Sequence, residues 1–184
     1  VESIRKAYKD RTGRTVNLDE PKRFTEKLQW LKLFYRNPVM SICADKYAVR
    51  EYVESKGYEH TLNNLIGVWD RVDSIDYNAL PDKFVLKATH GCGTNLFSKN
   101  KRKINWAAWK RLMHGWMEMD TYVDGREWVY KDLKRRIICE EYLEDKSNPT
   151  SDLRDYKFLC FNGKVYCVFV DMDRFTFHKR NYYD

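Results

Sequence analysis

The sequence predicts an α+β fold of mostly antiparallel sheets with packed helices. Three observations predict it. Strand-like runs come in adjacent pairs, residues 83–88 with 96–98 and residues 155–161 with 164–171. The second pair is joined by Asn162-Gly163, the residue pair of a type I′ hairpin turn. Helical periodicity falls in blocks beside these pairs and does not alternate with single strands, which argues against a doubly wound parallel sheet.

Taken in order, the first twenty residues are polar and are expected at the periphery. "TEKLQWLKLFY" sets Leu28, Leu31 and Phe34 or Tyr35 on one helical face, with Thr25 as the expected N-cap. Asn37-Pro38 ends that helix. A second helix is expected over residues 45–56, with Ala48, Tyr52 and Val53 inward and Gly57 as its stop. Residues 65–69 read as a short strand, and Leu80-Pro81-Asp82 as a turn. Asn105 is placed to cap a helix whose Trp109, Leu112, Met113 and Trp116 follow the i, i+3, i+4, i+7 spacing of a core face. A cofactor-stacking role is the alternative for those tryptophans. "RIICEEYL" reads as a strand. The sequence shows no internal repeat and no low-complexity segment.

Composition narrows the class. The chain has 184 residues, 43% hydrophobic and 15% aromatic, which supports a packed core and excludes wholesale disorder. No apolar run reaches the length of a membrane span, and the opening Val-Glu-Ser-Ile-Arg is not a signal peptide, so a cytoplasmic protein is expected. Residue 1 is not Met, and a piece of a longer chain is expected. Five cysteines, an odd number with no CxxC, read as buried thiols of a reducing compartment. Neither they nor the four histidines have zinc-ligand spacing. The net charge of +7 fits an anionic partner or a solvated basic surface, and charge alone does not choose between them.

The chemistry centres on "KFVLKATHGCGTN". Lys87 interrupts an apolar strand, which is costly unless its ammonium meets an anion or water. The loop that follows holds Gly91 and Gly93, residues that let backbone N–H groups turn toward an anion, with Thr94 and Asn95 as further donors. A strand lysine beside an amide-rich loop is chemically a polyphosphate clamp. It is neither a Walker A loop, which ends in Gly-Lys-Ser/Thr before a helix, nor GxGxxG. A plain hairpin turn with Lys87 reaching solvent explains the same residues.

Other segments make the pattern specific. "FTEKLQWLK", "ADKYAVREYV", "FVLKATHGCGTN", "EEYL" and "DYKFLCFNGKV" occur in that order over roughly residues 24–184. Together they resemble the TupA-like branch of the ATP-grasp proteins, named for teichuronopeptide biosynthesis and associated with cell-surface polysaccharide and capsule genes. The resemblance implies that Lys46 touches the α-phosphate of ATP and that Lys87 is the second nucleotide lysine. It implies that Gly91, Cys92, Gly93, Thr94 and Asn95 form a flap over the β- and γ-phosphates. Glu140, Glu141 and Leu143 would line the adenine, with Glu140 near the amino group and backbone groups at Glu141 and Leu143 reading the base edge. Lys157 matches the hairpin lysine of the branch, and Arg174 is a candidate catalytic contact to phosphate or acyl substrate. Residue by residue, a solvated first-turn lysine remains the alternative for Lys46, and a strand-end charge pair for Glu140 and Glu141. His90 reads as a flap donor or a turn residue, not a catalytic base.

The resemblance also implies an organisation and a reaction. Residues 1–80 would form a helical and strand region leading into the nucleotide site, and residues 81–184 the ATP-grasp core, incomplete at its C-terminus. The reaction would be carboxylate–amine ligation through an acylphosphate, using ATP and magnesium, on an acidic glycan or amino-acid substrate. Peripheral association with a polysaccharide assembly complex is implied, and nucleic acid is disfavoured. The family's metal-binding acid-x-Asn strand is not visible: Asp171 and Asp173 are the late acids, and "DMD" does not fit it, so the metal ligands are left unassigned and the sheet is expected to lack its last strands, leaving 164–171 as an apolar edge. The rival readings are a non-catalytic basic module for acidic glycan or nucleic acid, and a glycosyltransferase-associated biosynthesis protein.

Overall fold

The computed structural model describes residues 1–145, 153–173 and 177–184. They divide into two compact units, Val1–Glu141 and Tyr142–Asp184. Arg174 lies outside the described residues. Among the described residues, no helix is long and apolar enough to cross a membrane.

The first unit contains a four-stranded antiparallel sheet of order β1-β4-β2-β3, built from β1 (Leu65–Trp69), β2 (Phe84–Ala88), β3 (Asn95–Ser98) and β4 (Ile137–Glu141). Strand parity separates two chemistries. On β2 and β4, Phe84, Leu86, Ala88, Ile137 and Cys139 enter the core, which also takes in the fully buried Met113 of the 13-residue helix Trp106–Glu118. Burying each large side chain is worth about 1.5–3 kcal/mol, so this face holds the unit together. The alternate residues Val85, Lys87, Ile138 and Glu140 occupy the other face, with Lys87 directly opposite Ile138 and Val85 opposite Glu140. The α+β class and the antiparallel pairing expected from sequence are therefore present.

The tryptophans are core. Trp106 stacks on Phe84 at 6.3 Å and Trp109 meets the same ring edge-on at 6.1 Å. Asn105 caps their helix, its side chain accepting from the Ala108 N–H at 3.0 Å. Leu112, expected inward, is half exposed; Trp106 takes its place because the stripe runs through 106, 109, 113 and 116.

The N-terminal region departs most from expectation. The first twenty residues are not merely peripheral: α1 (Glu2–Thr12) buries Ile4 and Tyr8, and Tyr8, Val16 and Leu18 form a second small core with Leu33. Leu33 belongs to α2 (Phe24–Phe34). Arg23, not Thr25, is the N-cap of α2. The buried Glu26 reaches back and accepts from the backbone N–H of Arg23 at 2.9 Å and of Lys22 at 3.1 Å. Those hydrogen bonds, led by that of Arg23, hold its carboxyl below the usual range. Thr25 instead meets the Tyr8 hydroxyl at 3.0 Å. Asn37-Pro38 ends α2 and also starts α3 (Pro38–Ala44), because Pro38 sits in the first turn where no N–H is needed and Asn37 caps Val39. The helix expected over 45–56 is shorter, α4 (Ala48–Glu54), since Asp45 turns the chain by accepting from the N–H groups of Tyr47 and Ala48 at 2.8 and 3.2 Å.

The second unit is a three-stranded antiparallel sheet of order β5-β6-β7: β5 (Asp155–Phe161), β6 (Lys164–Met172) and β7 (Lys179–Tyr183). Asn162 and Gly163 have φ of 50° and 74°, the left-handed pair that a type I′ turn demands. The expected apolar edge at β6 is not one: β7 pairs along it from Val168↔Tyr183 to Met172↔Lys179, so β6 is the central strand. Polar "KRNYY" hid β7 from hydrophobicity-based reading. The cysteines also differ from expectation. Cys139 alone is buried, which pushes its thiol up to about 12; Cys43, Cys92 and Cys160 are exposed.

Candidate functional site

The site face of the four-stranded sheet collects charge that sequence order had dispersed. Lys87 projects from β2, and Glu140 from β4. The Lys87 ammonium pairs with Glu140 Oε2, and Arg50 of α4 donates from Nη1 to Glu140 Oε1 at 3.2 Å. Arg50 also donates to the Asn63 carbonyl at 2.6 Å, fixing α4 to the start of β1. Glu140 is 7% exposed, and both its oxygens are engaged. A buried carboxylate held this way is stable only while its cations stay close.

Lys46 sits in the Asp45-Lys46-Tyr47 turn between α3 and α4. Its backbone N–H donates to the Thr89 carbonyl at 3.2 Å. Its ammonium donates to the carbonyl of Ala88 at 3.0 Å and to that of Gly91. The lysine thus threads into the loop joining β2 and β3. Burial, and next the like charge of Lys87, hold the Lys46 ammonium below the ordinary lysine pKa. Lys46, Lys87 and the Gly91-to-Asn95 loop are brought together, as the sequence predicted.

Two glycines in the loop are there for different reasons. A Cβ on Gly91 would lie 2.8 Å from Thr121 Oγ1, so close approach forbids a side chain. Gly93 has φ +75°, the left-handed region. Thr94 closes the loop, its carbonyl accepting from the Ala88 N–H at 3.2 Å. Cys92 is exposed, while Thr94 is buried and its hydroxyl has no partner. Asn95 opens β3 opposite Lys87.

His90 anchors the loop to the core. Burial lowers its pKa, so the neutral ring donates from Nε2 to the Trp116 carbonyl at 2.9 Å. Its Nδ1 is then a buried acceptor without a partner. This geometry fits a tether and not a catalytic base.

Sequence reading missed two cations here. Arg50 lies four residues after Lys46, and that spacing, one turn of the helix expected over 45–56, was the available signal. Arg136 precedes β4 and shares the parity of Ile138 and Glu140. Its guanidinium stacks over Tyr47 at 4.9 Å and stands 3.7 Å from both Asp45 and Asp70. Its Nη1 is buried and makes no hydrogen bond. Among the described residues, Lys46, Arg50, Lys87 and Arg136 therefore face two buried acids, Asp45 and Glu140, and the exposed Asp70. An excess of cations with unsatisfied donors is an anion site in chemical terms.

Of the other predicted residues, Glu141 and Lys157 are each held by local contacts. Glu141 donates its N–H to the Asn64 carbonyl at 3.0 Å, and its own carbonyl accepts from Asn63 Nδ2 at 2.8 Å. Leu143 belongs to the second unit and is half exposed. Lys157, also in that unit, pairs with Asp155 and with Asp171 at 3.1 Å. Asp171 is buried and is further bound by Arg180, at 2.5 and 2.8 Å, and by His178 at 2.9 Å. The hydrogen bonds from Arg180, ahead of those from His178 and Lys157, drive the Asp171 carboxyl far below its ordinary pKa.

The TupA-like ATPgrasp family pattern matches residues 26–184, from the start of α2 through β7. The chain belongs to that family. No curated protein and no solved structure is similar enough to match it. Membership makes this an ATP-grasp protein of the polysaccharide-biosynthesis branch and implies nucleotide binding. The cation-rich face and the orphaned donors fit a polyphosphate. The family's magnesium is a different matter. Among the described residues, no three His, Cys, Asp or Glu side chains are grouped to hold a metal, and Asp171 is fully engaged by cations. The described residues do not fit the ion.

Proposed function

We propose that the protein binds ATP with its phosphates over the β2–β3 loop, and acts as a carboxylate–amine ligase in cell-surface polysaccharide synthesis. The observation that carries this reading is the Lys46 ammonium, partly desolvated and held on loop carbonyls beside Lys87. Bound ATP would supply a phosphoryl group to activate a carboxylate as an acylphosphate, which an amine then displaces. The chain's own residues have narrower tasks. Lys46 and Lys87 exchange their internal acceptors for phosphate oxygens. Arg136 offers its Nη1, which makes no hydrogen bond. The loop N–H groups of Gly91 to Asn95 cover the phosphates, and His90 keeps the loop's base fixed. Positioned donors of this kind stabilise charge without reorganising. The Glu141-to-Leu143 segment is assigned to the adenine edge.

The test is calorimetric titration with ATP, then with a polyuronate, followed by thermal melting under each ligand. The reading expects ATP to bind and to raise the melting temperature, and Lys46→Ala to abolish both effects. Stabilisation by polyuronate alone, with ATP silent, refutes it in favour of a glycan-binding module.

A further inference from the structure

The outward face of α2 has no role in the nucleotide site. Within the helix, Leu28 and Leu31 lie on one line, which Tyr35 continues, while Glu26 and Leu33 lie on the opposite side and are turned to the protein. Leu28, Leu31 and Tyr35 are 39%, 38% and 43% exposed. The next helix continues the exposure with Met40 and Ile42. Contiguous apolar exposure of this kind marks an interaction surface and not ordinary solvent contact.

Charge identifies the partner. The single acid of α2, Glu26, is buried in its own capping bonds, so it contributes nothing to the outer surface. The exposed charges at the helix start are Lys22, Arg23 and Lys27, with the exposed acids Asp19 and Glu20 set back before Pro21. Residues 1–44 hold ten Lys and Arg against five Asp and Glu, a net +5 of the chain's +7. An apolar stripe fringed by cations, with its one acid withdrawn, is the pattern of a helix that lies in a lipid interface. A second copy of the chain fits poorly, because it would set one +5 segment against another.

We propose that α2 docks flat on an anionic lipid surface, Leu28, Leu31 and Tyr35 entering the acyl boundary and Lys22 and Lys27 meeting the headgroups. The docking is independent of ATP. It would hold the enzyme where lipid-linked or membrane-bound glycan substrates are presented.

The test is co-sedimentation of the full chain with vesicles. Binding should be about tenfold tighter to phosphatidylcholine vesicles carrying about one third phosphatidylglycerol than to phosphatidylcholine alone, and should fall in about 1 M salt. Leu28→Glu with Leu31→Glu should abolish it, with circular dichroism unchanged because both positions are exposed. Lys22→Glu with Lys27→Glu leaves the apolar stripe intact and should remove the preference for anionic vesicles. Equal binding to both vesicle types, or binding that survives the leucine substitutions, overturns the proposal. So does self-association that the leucine substitutions abolish in the absence of vesicle binding, which would make the face an interface between copies.

Discussion

Lys87 has two partners to serve, and separating them tests the site most directly. In the structure its ammonium neutralises Glu140. In the proposed complex it also faces phosphate. Lys87→Ala removes both. The side chains of the pair are 27% and 10% exposed, so the ion pair is neither a surface bridge worth under about 1 kcal/mol nor a fully buried one whose rupture costs about 3–5 kcal/mol. Arg50 remains to hold Glu140 at 3.2 Å. A loss of about 1–2 kcal/mol follows, which lowers the melting temperature by about 2–8 °C for a chain of this size. The loss of a charge-assisted phosphate contact adds about 1.5–3 kcal/mol against binding, a ten- to about hundredfold weaker Kd.

Glu140→Gln breaks the same pair from the other side and leaves the ammonium. It should lower stability by a similar amount but leave phosphate affinity equal or tighter. Inorganic tripolyphosphate is the cleaner probe, because it has no base for Glu140 to meet. The assay is calorimetric Kd for ATP and for tripolyphosphate on wild type and both variants, beside melting curves. If both substitutions weaken tripolyphosphate equally, Lys87 acts only by holding the fold. If Lys87→Ala binds tripolyphosphate as wild type does, the phosphate assignment fails.

Further outcomes follow from neighbouring geometry. The Lys46 pKa is lowered by burial and by Lys87, so the charged form is lost at a pH below the ordinary lysine value of about 10.4; ATP affinity should fall on that alkaline limb, and Lys46→Arg should remove the limb in a pH series of Kd values. Gly91→Ala should destabilise the loop by collision with Thr121 and be rescued by Thr121→Ala, whereas Gly93→Ala, which costs about 1–2 kcal/mol for its left-handed φ, should not be rescued; melting of the single and double variants decides this. Asp171 has a depressed folded pKa, so its stabilisation is present above the unfolded value of about 3.9 and is lost as pH falls below it; hydrogen exchange of β6 and β7 should show that acid dependence, and Asp171→Asn should abolish it. ATP should bind more tightly than GTP if the Glu141-to-Leu143 segment reads the base, and equal affinities would refute that assignment.

Much of this was legible where local pattern and tertiary role agree. The Asn162-Gly163 hairpin, the paired strands at 84–88 and 95–98 and the Asn105 cap depend on near neighbours, and sequence spacing reports near neighbours. Lys46 and Lys87 were legible through the order of motifs. What escaped depends on contacts far along the chain. Glu26 folds the N-terminal region by reaching back to three backbone N–H groups; its N3 spacing is that of a capping box, but Arg23 in place of Ser or Thr at the N-cap hides the signal, and no spacing rule marks the reach to Asn17 and Lys22. Arg50 and Glu140 are 90 positions apart and meet only because β4 inserts between β1 and β2. β7 sets Lys179, Arg180 and Asn181 before two adjacent tyrosines and shows no apolar alternation, so its pairing with β6 is what reveals it.

The arrangement of acceptors on the site face explains how such a cluster is held together. Four cations on one sheet face would repel one another and lose hydration if left bare. Each is instead parked on an internal acceptor of limited strength. Lys46 rests on neutral carbonyls, Lys87 and Arg50 share one carboxylate, and Arg136 stands at 3.7 Å from two acids with a donor unused. These partners differ in how readily they yield. A neutral carbonyl loses to a phosphate oxygen, since the ammonium meets a full opposite charge there and only a dipole at the carbonyl. A shared carboxylate yields one cation and keeps the other. Lys46 and Arg136 should therefore turn to an incoming polyphosphate first and Lys87 second, while Arg50 stays on Glu140 and holds α4 in place. Substituting Arg50 should accordingly reduce stability more than affinity, and substituting Lys46 should do the reverse. Melting temperature and Kd measured on the two alanine variants separate those roles, and an Arg50→Ala protein that keeps its melting temperature but loses ATP would invert the order argued here.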